Sequence, residues 1–438
     1  MRPKTPAPAL MTLGSSSISA NTDAQGPAAP RGTSRRSFLG GTVAASSAAV
    51  VSLPTGGLFA AGEQRLRVGL VGCGGRGTGA ALQALEADPA VRVVALGDVF
   101  ADQVASSAEV LGAAGERFDC PAAQRFVGQD AYRRVIDSGV DIVLLAAPPH
   151  TRPLHLEAAV AAGKHVYCEK PVAIDAAGVV RAAAAAARSR ANGLSLVSGF
   201  CFRRDARMVE MVARIHDGAI GRPRLVQAHA AISLPWRQPL EIGRESGEWP
   251  LRNWISFARF SGGHFVEQHV QAIDRAVWIM GDVAPLMAEG MAEGMAGSVC
   301  SSNGVHDNGA TGAIGDCPAS TAVRYTFADG RVIEASIDRR ERAGDRIVET
   351  VVASAGSCDL VRGVLAGRHD WTAMPQPGPG RFSAAIAALV GGVLSGRSVH
   401  DGDTMCRSTW MAVMGSMAAE SGRPVAWNEL AGAAARLA

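Results

Sequence analysis

The stretch VGLVGCGGRGTGA (68–80) constrains the fold more than any other part of the chain. Gly72, Gly74 and Gly77 stand at G-x-G-x-x-G spacing, directly after an apolar run and at the opening of a helical pattern. That order asks for a buried strand, a tight turn and a helix whose free N–H groups face an anion. The first glycine permits the turn, the second lets a pyrophosphate approach the backbone, and the third allows close helix packing. A second apolar run, VRVVALGD, closes on Asp98, 21 residues after Gly77, where an acid can bind the ribose hydroxyls of an unphosphorylated dinucleotide. The spacing predicts dinucleotide binding, NAD ahead of NADP, with Arg76 as the feature that could reverse that preference.

Apolar runs and helical patterns alternate from Gln64 to about Phe200. VDIVLLAAPP (140–149), KHVYCEKP (164–171) and LSLVSGF (194–200) read as further strands, and Ala-rich stretches such as AAGVVRAAAAAARSRANG (176–193) as helices. This rhythm predicts a doubly wound parallel sheet covered on both faces. Beyond Phe202 it changes. One helix over about 205–217 leads to RPRLVQAHAAIS (222–233), and the alternating segments STAVRYTFADGRVIEASIDR (320–339) and RIVETVVASAG (346–356) predict an open, largely antiparallel sheet in a second α/β domain. The expected division is 1–61 leader and linker, 62–202 dinucleotide domain, and 203–438 substrate and oligomer domain, with the last helix packing back on the first domain. In that helix (about 403–420) Trp410, Met411, Met414 and Met417 read as packing residues. The run DRRERAGDR (338–346) reads as a solvated hairpin face, and MAEGMAEGMAG (287–297) as a local duplication.

With 47% hydrophobic and 19% charged residues, the composition excludes a disordered chain. Five basic residues against Asp23 in the first 61 positions more than account for the formal charge of +3, so no basic footprint for nucleic acid remains. Those positions read as an address instead. TSRRSFLGG (33–41) pairs two arginines with Phe38 and Leu39 ahead of an uncharged Ala/Ser/Val stretch, the order of a twin-arginine export signal. The protein is therefore expected to meet the twin-arginine translocation machinery and reach the periplasm, as a membrane-anchored form if the leader is not cleaved. Among eight cysteines, Cys73 and Cys168 sit inside motifs as small buried thiols; Cys300 and Cys317 bracket a Gly/Asn/Ser-rich insert that an oxidising compartment could staple.

Three further stretches bear on chemistry. GKHVYCEKPVAID (163–175) places Glu169 and Lys170 at the C-terminal end of a parallel strand, the edge where ligands of such sheets bind. GGHFVEQHVQAID (262–274), read as a regular helix, puts Glu267, Gln271 and Asp274 on one face. EWPLRNW (248–254) offers Trp249, Arg252 and Asn253 as a stacking platform and donors for a sugar ring, or simply core tryptophans.

The order of GCGGRG, APPHTRPLHLEAAVAAGKHVYCEKP and GGHFVEQHVQAID resembles the glucose-fructose oxidoreductase, inositol dehydrogenase and rhizopine-catabolism (Gfo/Idh/MocA) family, from Arg65 to the last helix; RNWISFARFSGGHFVEQHV resembles an exported bacterial branch of it. The resemblance implies an N-terminal Rossmann domain, a C-terminal domain whose open sheet forms homo-oligomer contacts, and a sugar or polyol substrate. By the same resemblance Lys170 touches the nicotinamide ribose and the reacting hydroxyl, Glu169 and Pro171 shape the loop, and Pro148 and His150 line the nicotinamide end.

The family usually has aspartate, histidine and aspartate where this chain has Glu267, Gln271 and Asp274. An amide cannot take a proton near neutral pH, so Gln271 can orient a hydroxyl but not act as its base. General-base assistance is worth about 10²- to 10⁴-fold. Lys170 with a lowered pKa beside the nicotinamide is one substitute, and His264, three residues before Glu267, another. His269 lies roughly 200° around a regular helix from Glu267 and reads as a buried core histidine. His264 and His269 diverge by roughly 140°, unlike a metal-binding pair, and no metal is expected.

An exported enzyme has no free nicotinamide pool to draw on. Its cofactor must stay bound, and nanomolar retention corresponds to about −12 kcal/mol. The leading expectation is an NAD(P)-dependent sugar or polyol oxidoreductase with tightly held cofactor. Alternatives are a glycosidase working by transient oxidation and elimination, with Glu267 as its acid/base, and a non-catalytic dinucleotide- or glycan-binding relative.

Overall fold

Largely apolar runs become strands buried on both faces, except at the sheet edge Arg125–Val127, where only Phe126 is buried. β1 (Leu66–Val71), β2 (Val91–Asp98), β3 (Arg125–Val127), β4 (Ile142–Leu145), β5 (His165–Cys168) and β6 (Leu196–Ser198) form one parallel sheet in the order β3-β2-β1-β4-β5-β6. The order reverses between β1 and β4, the switch point at which such sheets take ligands beyond their C-terminal edge. Helices α1 (Gly75–Ala87), α2 (Ala101–Gly112), α3 (Ala131–Asp137), α4 (Arg152–Ala161) and α5 (Ala176–Ala191) make the crossovers. One core joins Leu66, Val68 and Leu70 of β1 to Ala80, Ala84 and Leu111 of the helices, while Val71, Val143 and Leu145 belong to the core on the opposite side.

The computed structural model describes residues 65–236, 247–291, 315–340, 344–374 and 378–429. The stretch expected to be a twin-arginine leader, Cys300 and most of the insert before Cys317 lie outside these residues, as does the greater part of the 287–297 duplication. Cys317 is a free thiol that donates to the Ile255 carbonyl and lies 3.6 Å from Ser261 Oγ.

After β6 the chain enters α6 (Ala206–His216), whose Asp205 cap accepts from the Met208 N–H at 3.0 Å. β7 (Pro223–Ser233), short α7 (Glu248–Arg252) and α8 (Ala258–Ser261), α9 (Val270–Ile279), β8 (Met287–Gly290), β9 (Ser320–Thr326), β10 (Val332–Arg340), β11 (Arg346–Ala353), β12 (Gly356–Asp359), β13 (Val364–Ala366) and β14 (Trp371–Thr372) follow. With β15 (Val425–Ala426) they build a nine-stranded sheet in the order β14-β13-β12-β11-β7-β10-β9-β8-β15. Among the described residues only the β7–β10 pair of this sheet is parallel, so the expected largely antiparallel sheet is present with one mixed step.

That step corrects the reading of the run 338–346 at Arg339; residues 341–343 lie outside the described residues, and 344–346 are exposed as expected. β10 and β11 do not pair with each other, because β7 lies between them. On β10 the side chains of Ile333, Ala335 and Ile337 point into the core, and the period-two pleat carries Arg339 onto the same face, where it is buried. It is not part of a solvated hairpin.

Two long helices precede β15. α10 (Arg381–Leu394) packs on α1, its Ile386 and Leu389 joining the core of Leu70 and Ala84. α11 (Gly402–Ser421) packs on α5 and α9 with Trp410, Met411 and Met414 fully buried and Met417 against them, the packing role read from the sequence. No helix of the described residues is long and apolar enough to cross a membrane.

Candidate active site

The glycine turn has the shape a dinucleotide needs. Gly72 sits at φ +95, and a β-carbon there would overlap the Ala147 backbone nitrogen; one on Gly77 would overlap the Gly72 carbonyl oxygen. A β-carbon on Gly74 would meet only Gln103 Oε1, at 4.0 Å, and Gly75 faces open space. The turn is thus closed at its first and third glycines and open at the second, and the first turn of α1 has neither a capping side chain nor an acidic residue to compete with an anion. These residues fit a pyrophosphate. Gly77→Ala is accordingly expected to unfold the protein. Gly74→Val should leave the melting temperature in place and weaken NAD binding roughly tenfold or more, about 1.4 kcal/mol, measured by titration beside thermal melts.

Asp98 ends β2 half-buried. Its carboxylate accepts from the Cys73 N–H at 2.7 Å and the Phe100 N–H at 3.0 Å, tying the glycine turn to the next loop; burial pushes its pKa up. Arg76 does not turn toward Asp98. Its guanidinium stacks over Phe382, donates to Gln83 Oε1 at 2.6 Å and forms an ion pair with Glu169 Oε1 at 3.1 Å. Its charge is held on the Glu169 side of the glycine turn.

Beyond β5 the loop is fixed from several sides. Glu169 is buried; its Oε1 accepts from Tyr167 OH at 2.9 Å, and its Oε2 from the Lys170 N–H at 3.2 Å. Arg152, at the start of α4 and also buried, donates to the Pro171 carbonyl at 2.6 Å. Pro148, past β4, accepts from both Thr151 N–H and Thr151 Oγ1, at 3.1 and 2.8 Å. The His150 ring packs 4.9 Å from Phe260 with Nδ1 buried and unpartnered, and burial lowers its pKa. Glu169, Lys170, Pro171, Pro148 and His150 thus stand on loops that leave the same sheet edge.

The second domain meets this edge through the GGHFVEQHVQAID stretch. Gly262 and Gly263, at φ +75 and +82, re-aim the chain out of α8. Phe265–His269 then form a π-helical turn before α9, so the regular helix expected over 262–274 is interrupted where its chemistry lies. Lys170 Nζ donates to the Glu267 carbonyl oxygen at 2.6 Å and to Glu267 Oε1 at 3.1 Å, with both side chains largely covered. Gln271 reaches the neighbouring loop. Its Nε2 donates to the Gly199 carbonyl at 3.3 Å and Oε1 is buried without a partner, so the amide braces the backbone beside Lys170 while keeping one free acceptor.

The remaining expectations divide. Asp274 does not join Glu267; it is fully buried, accepting from Arg203 at 2.9 Å and Ser408 Oγ at 2.7 Å. His269 is excluded as a base because its Nε2 lies 2.9 Å from the Ala228 carbonyl in the core. His264 stays near Glu267, buried with Nδ1 unpartnered. Arg252 and Asn253 do not form a sugar platform. Arg252 pairs with Asp102 at 2.9 and 3.0 Å, and Asn253 is fully buried with its amide on the Trp249 carbonyl. Trp249 packs edge-on against Phe257.

Two residues that the sequence reading passed over belong here. Arg152 is buried among Tyr167, Cys168, Glu169 and Glu267, and Arg339 lies close enough to Glu267 and His264 to act on both charges. For Arg339 the signal was available as the i, i+2 row with Ile333, Ala335 and Ile337.

Burial also fixes a pH response. It is the main cause lowering His155 to about 3, His264 to about 4 and His269 to about 4; Arg339 adds to the effect at His264, and Glu267 opposes it. These rings are neutral when folded and take protons when unfolded, so their contribution is complete above about pH 6.5 and lost as pH falls toward 4. Stability should decline by about 1.4 kcal/mol per pH unit for each histidine in that window. Denaturant melts between these limits check it, and His269→Gln should shallow the slope.

Comparison with known proteins agrees with this geometry. Residues 66–195 match the family model Gfo/Idh/MocA, described as an oxidoreductase family with an NAD-binding Rossmann fold. The chain is 27% identical over 226 residues to myo-inositol 2-dehydrogenase of Thermotoga maritima, covering 51% of this chain and 58% of that protein. It is 37% identical over 162 residues to inositol 2-dehydrogenase 1 of Saccharopolyspora erythraea, covering 37% and 44%. The matches thus span about half the length of these curated relatives. Among solved structures, the aldose-aldose oxidoreductase of Caulobacter crescentus, complexed with glycerol, superposes with a TM-score of 0.59 at 22% identity, over 83% of this chain and 99% of that one, which shows a shared fold. Residues 66–195 are therefore similar to the NAD-binding Rossmann fold of the Gfo/Idh/MocA oxidoreductase family.

Proposed function

We propose that the protein is an NAD-dependent oxidoreductase acting on a sugar or polyol hydroxyl, in the manner of the inositol dehydrogenases it resembles. The observation that carries this reading is the Lys170–Glu267 contact, 3.1 Å between Nζ and Oε1, at the C-terminal edge of a sheet whose glycine turn is open to a pyrophosphate. The cradle at Gly74 and the free N–H groups of α1 would hold the pyrophosphate, Asp98 the ribose hydroxyls, and the loops at Pro148, His150 and Lys170 the nicotinamide end. When bound, the nicotinamide supplies a hydride acceptor.

The chain's own groups manage the proton. Lys170 Nζ, held by two Glu267 oxygens, is placed to bind the reacting hydroxyl, and Glu267 Oε1 offers a carboxylate to which its proton can pass. Gln271 Oε1, buried and unpartnered, is an acceptor for a second hydroxyl, and Arg152 keeps the Pro171 side of the loop in place. Asp98 supports NAD as the partner. The twin-arginine leader supports export to the periplasm, and an exported enzyme requires a cofactor that stays bound through many turnovers.

The test is the appearance of reduced nicotinamide when protein purified without additions, and protein supplied with NAD, meet a panel of polyols and aldoses. Reduction by at least one of them is expected. A protein that binds NAD yet reduces it with none would overturn the reading.

A further inference from the structure

Arg252 lies in the second domain but serves the first. Its two terminal nitrogens hold both oxygens of Asp102 in the first turn of α2, at 2.9 and 3.0 Å, and its Nε reaches Glu248 Oε2 at 3.4 Å. The guanidinium also lies over the Phe100 ring, 3.9 Å from its centroid. The Arg252 side chain is 9% exposed and that of Asp102 51%, so this is a two-pronged pair joined to a stack, covered on the arginine side and open to solvent on the aspartate side. Arg252 therefore grips the chain on both sides of residue 101, immediately after Asp98.

The grip is continuous with the dinucleotide cradle. Phe100 donates its N–H to Asp98 Oδ1 at 3.0 Å, and Asp98 Oδ2 accepts from Cys73 N–H in the glycine turn at 2.7 Å. A chain of contacts thus runs from the glycine turn through Asp98 and Phe100 to α7 of the other domain. In a doubly wound sheet the acid at the end of the second strand is where the adenosine ribose binds. Nothing in the sequence marks this pairing, since Arg252 and Asp102 stand 150 residues apart.

We propose that Arg252, Asp102 and Phe100 form an interdomain clasp at the adenosine end of the cofactor site, and that opening this clasp limits cofactor release. The inference rests on the dinucleotide reading of the glycine turn and gives a residue basis for a cofactor that stays bound. Breaking the clasp frees the β2–α2 turn that carries Asp98, and release accelerates. An Arg–carboxylate fork depends on geometry as well as charge, so lysine at 252 restores only part of the hold.

The experiment loads the full chain with NADH, chases it with excess NAD and follows the loss of nicotinamide fluorescence, for wild type, Arg252→Met, Asp102→Asn and the exchanged pair Arg252→Asp with Asp102→Arg. Release about 10- to 100-fold faster is expected in each single variant, equivalent to about 1.4–2.8 kcal/mol, with recovery in the exchanged pair. Thermal melts without cofactor accompany each variant. Unchanged release in folded Arg252→Met and Asp102→Asn, even with a lower melting temperature, would reduce the pair to a structural brace and overturn the clasp. If wild type takes up no NADH, the dinucleotide reading itself fails, and the clasp with it.

Discussion

Lys170→Met is expected to lower kcat by about 10²- to 10⁴-fold, the range for a group that moves a proton at the reacting oxygen, while NAD affinity changes little. Methionine keeps the length of the side chain and loses the charge and the donors. The loop around it does not depend on Nζ, because Glu169 holds the Lys170 backbone N–H and Arg152 holds the Pro171 carbonyl. What disappears is the contact of Nζ with the two Glu267 oxygens. Glu267→Gln should lower kcat within the same range, since the carboxylate that accepts the proton is gone, while its backbone carbonyl still receives Lys170. If Lys170 serves only to brace the π-helical turn, methionine there lowers the melting temperature and leaves kcat in place. Steady-state kinetics with NAD titration and thermal melts on the same preparations separate the two.

Asp274→Ala is expected to cost about 3–5 kcal/mol of stability, the penalty for removing one partner from a buried ion pair. Asp274 is fully buried, and Arg203 binds it together with Asp282 while Ser408 on α11 donates to it. Burial works against the Arg203 charge, yet the two aspartates outweigh it and raise its pKa. Without Asp274, the Arg203 guanidinium keeps Asp282 alone, and α9 loses its polar anchor to α11. Denaturant unfolding measures the loss. A stable Asp274→Ala protein with no activity would instead give this residue a part in the chemistry.

What could be read from the chain follows from how local each signal is. The Rossmann sheet was legible because buried parallel strands are unbroken apolar runs and the glycine turn has its own spacing rule. Lys170 was legible because its motif closes such a strand. The helix over 262–274 was read as regular because periodicity contains no mark for a π-helical turn; the two left-handed glycines ahead of it were the available hint. Arg339 was misplaced by reading a charge run as solvated, when β7 separates the two strands and the pleat turns that side chain inward. Arg252 was assigned to a sugar because its true partner, Asp102, lies in the other domain.

The most direct test of the central claim, that Lys170 and Glu267 serve hydride transfer between a carbohydrate carbon and a nicotinamide, is isotope transfer. Polyols and aldoses carrying deuterium at their carbinol carbons are incubated with the NAD-loaded protein, and the nicotinamide is recovered for mass spectrometry. Transfer of a single deuterium, as deuteride, to the nicotinamide, abolished in Lys170→Met, is the expected result. Bound cofactor that acquires no label from any of them, in a protein that retains NAD, would contradict it.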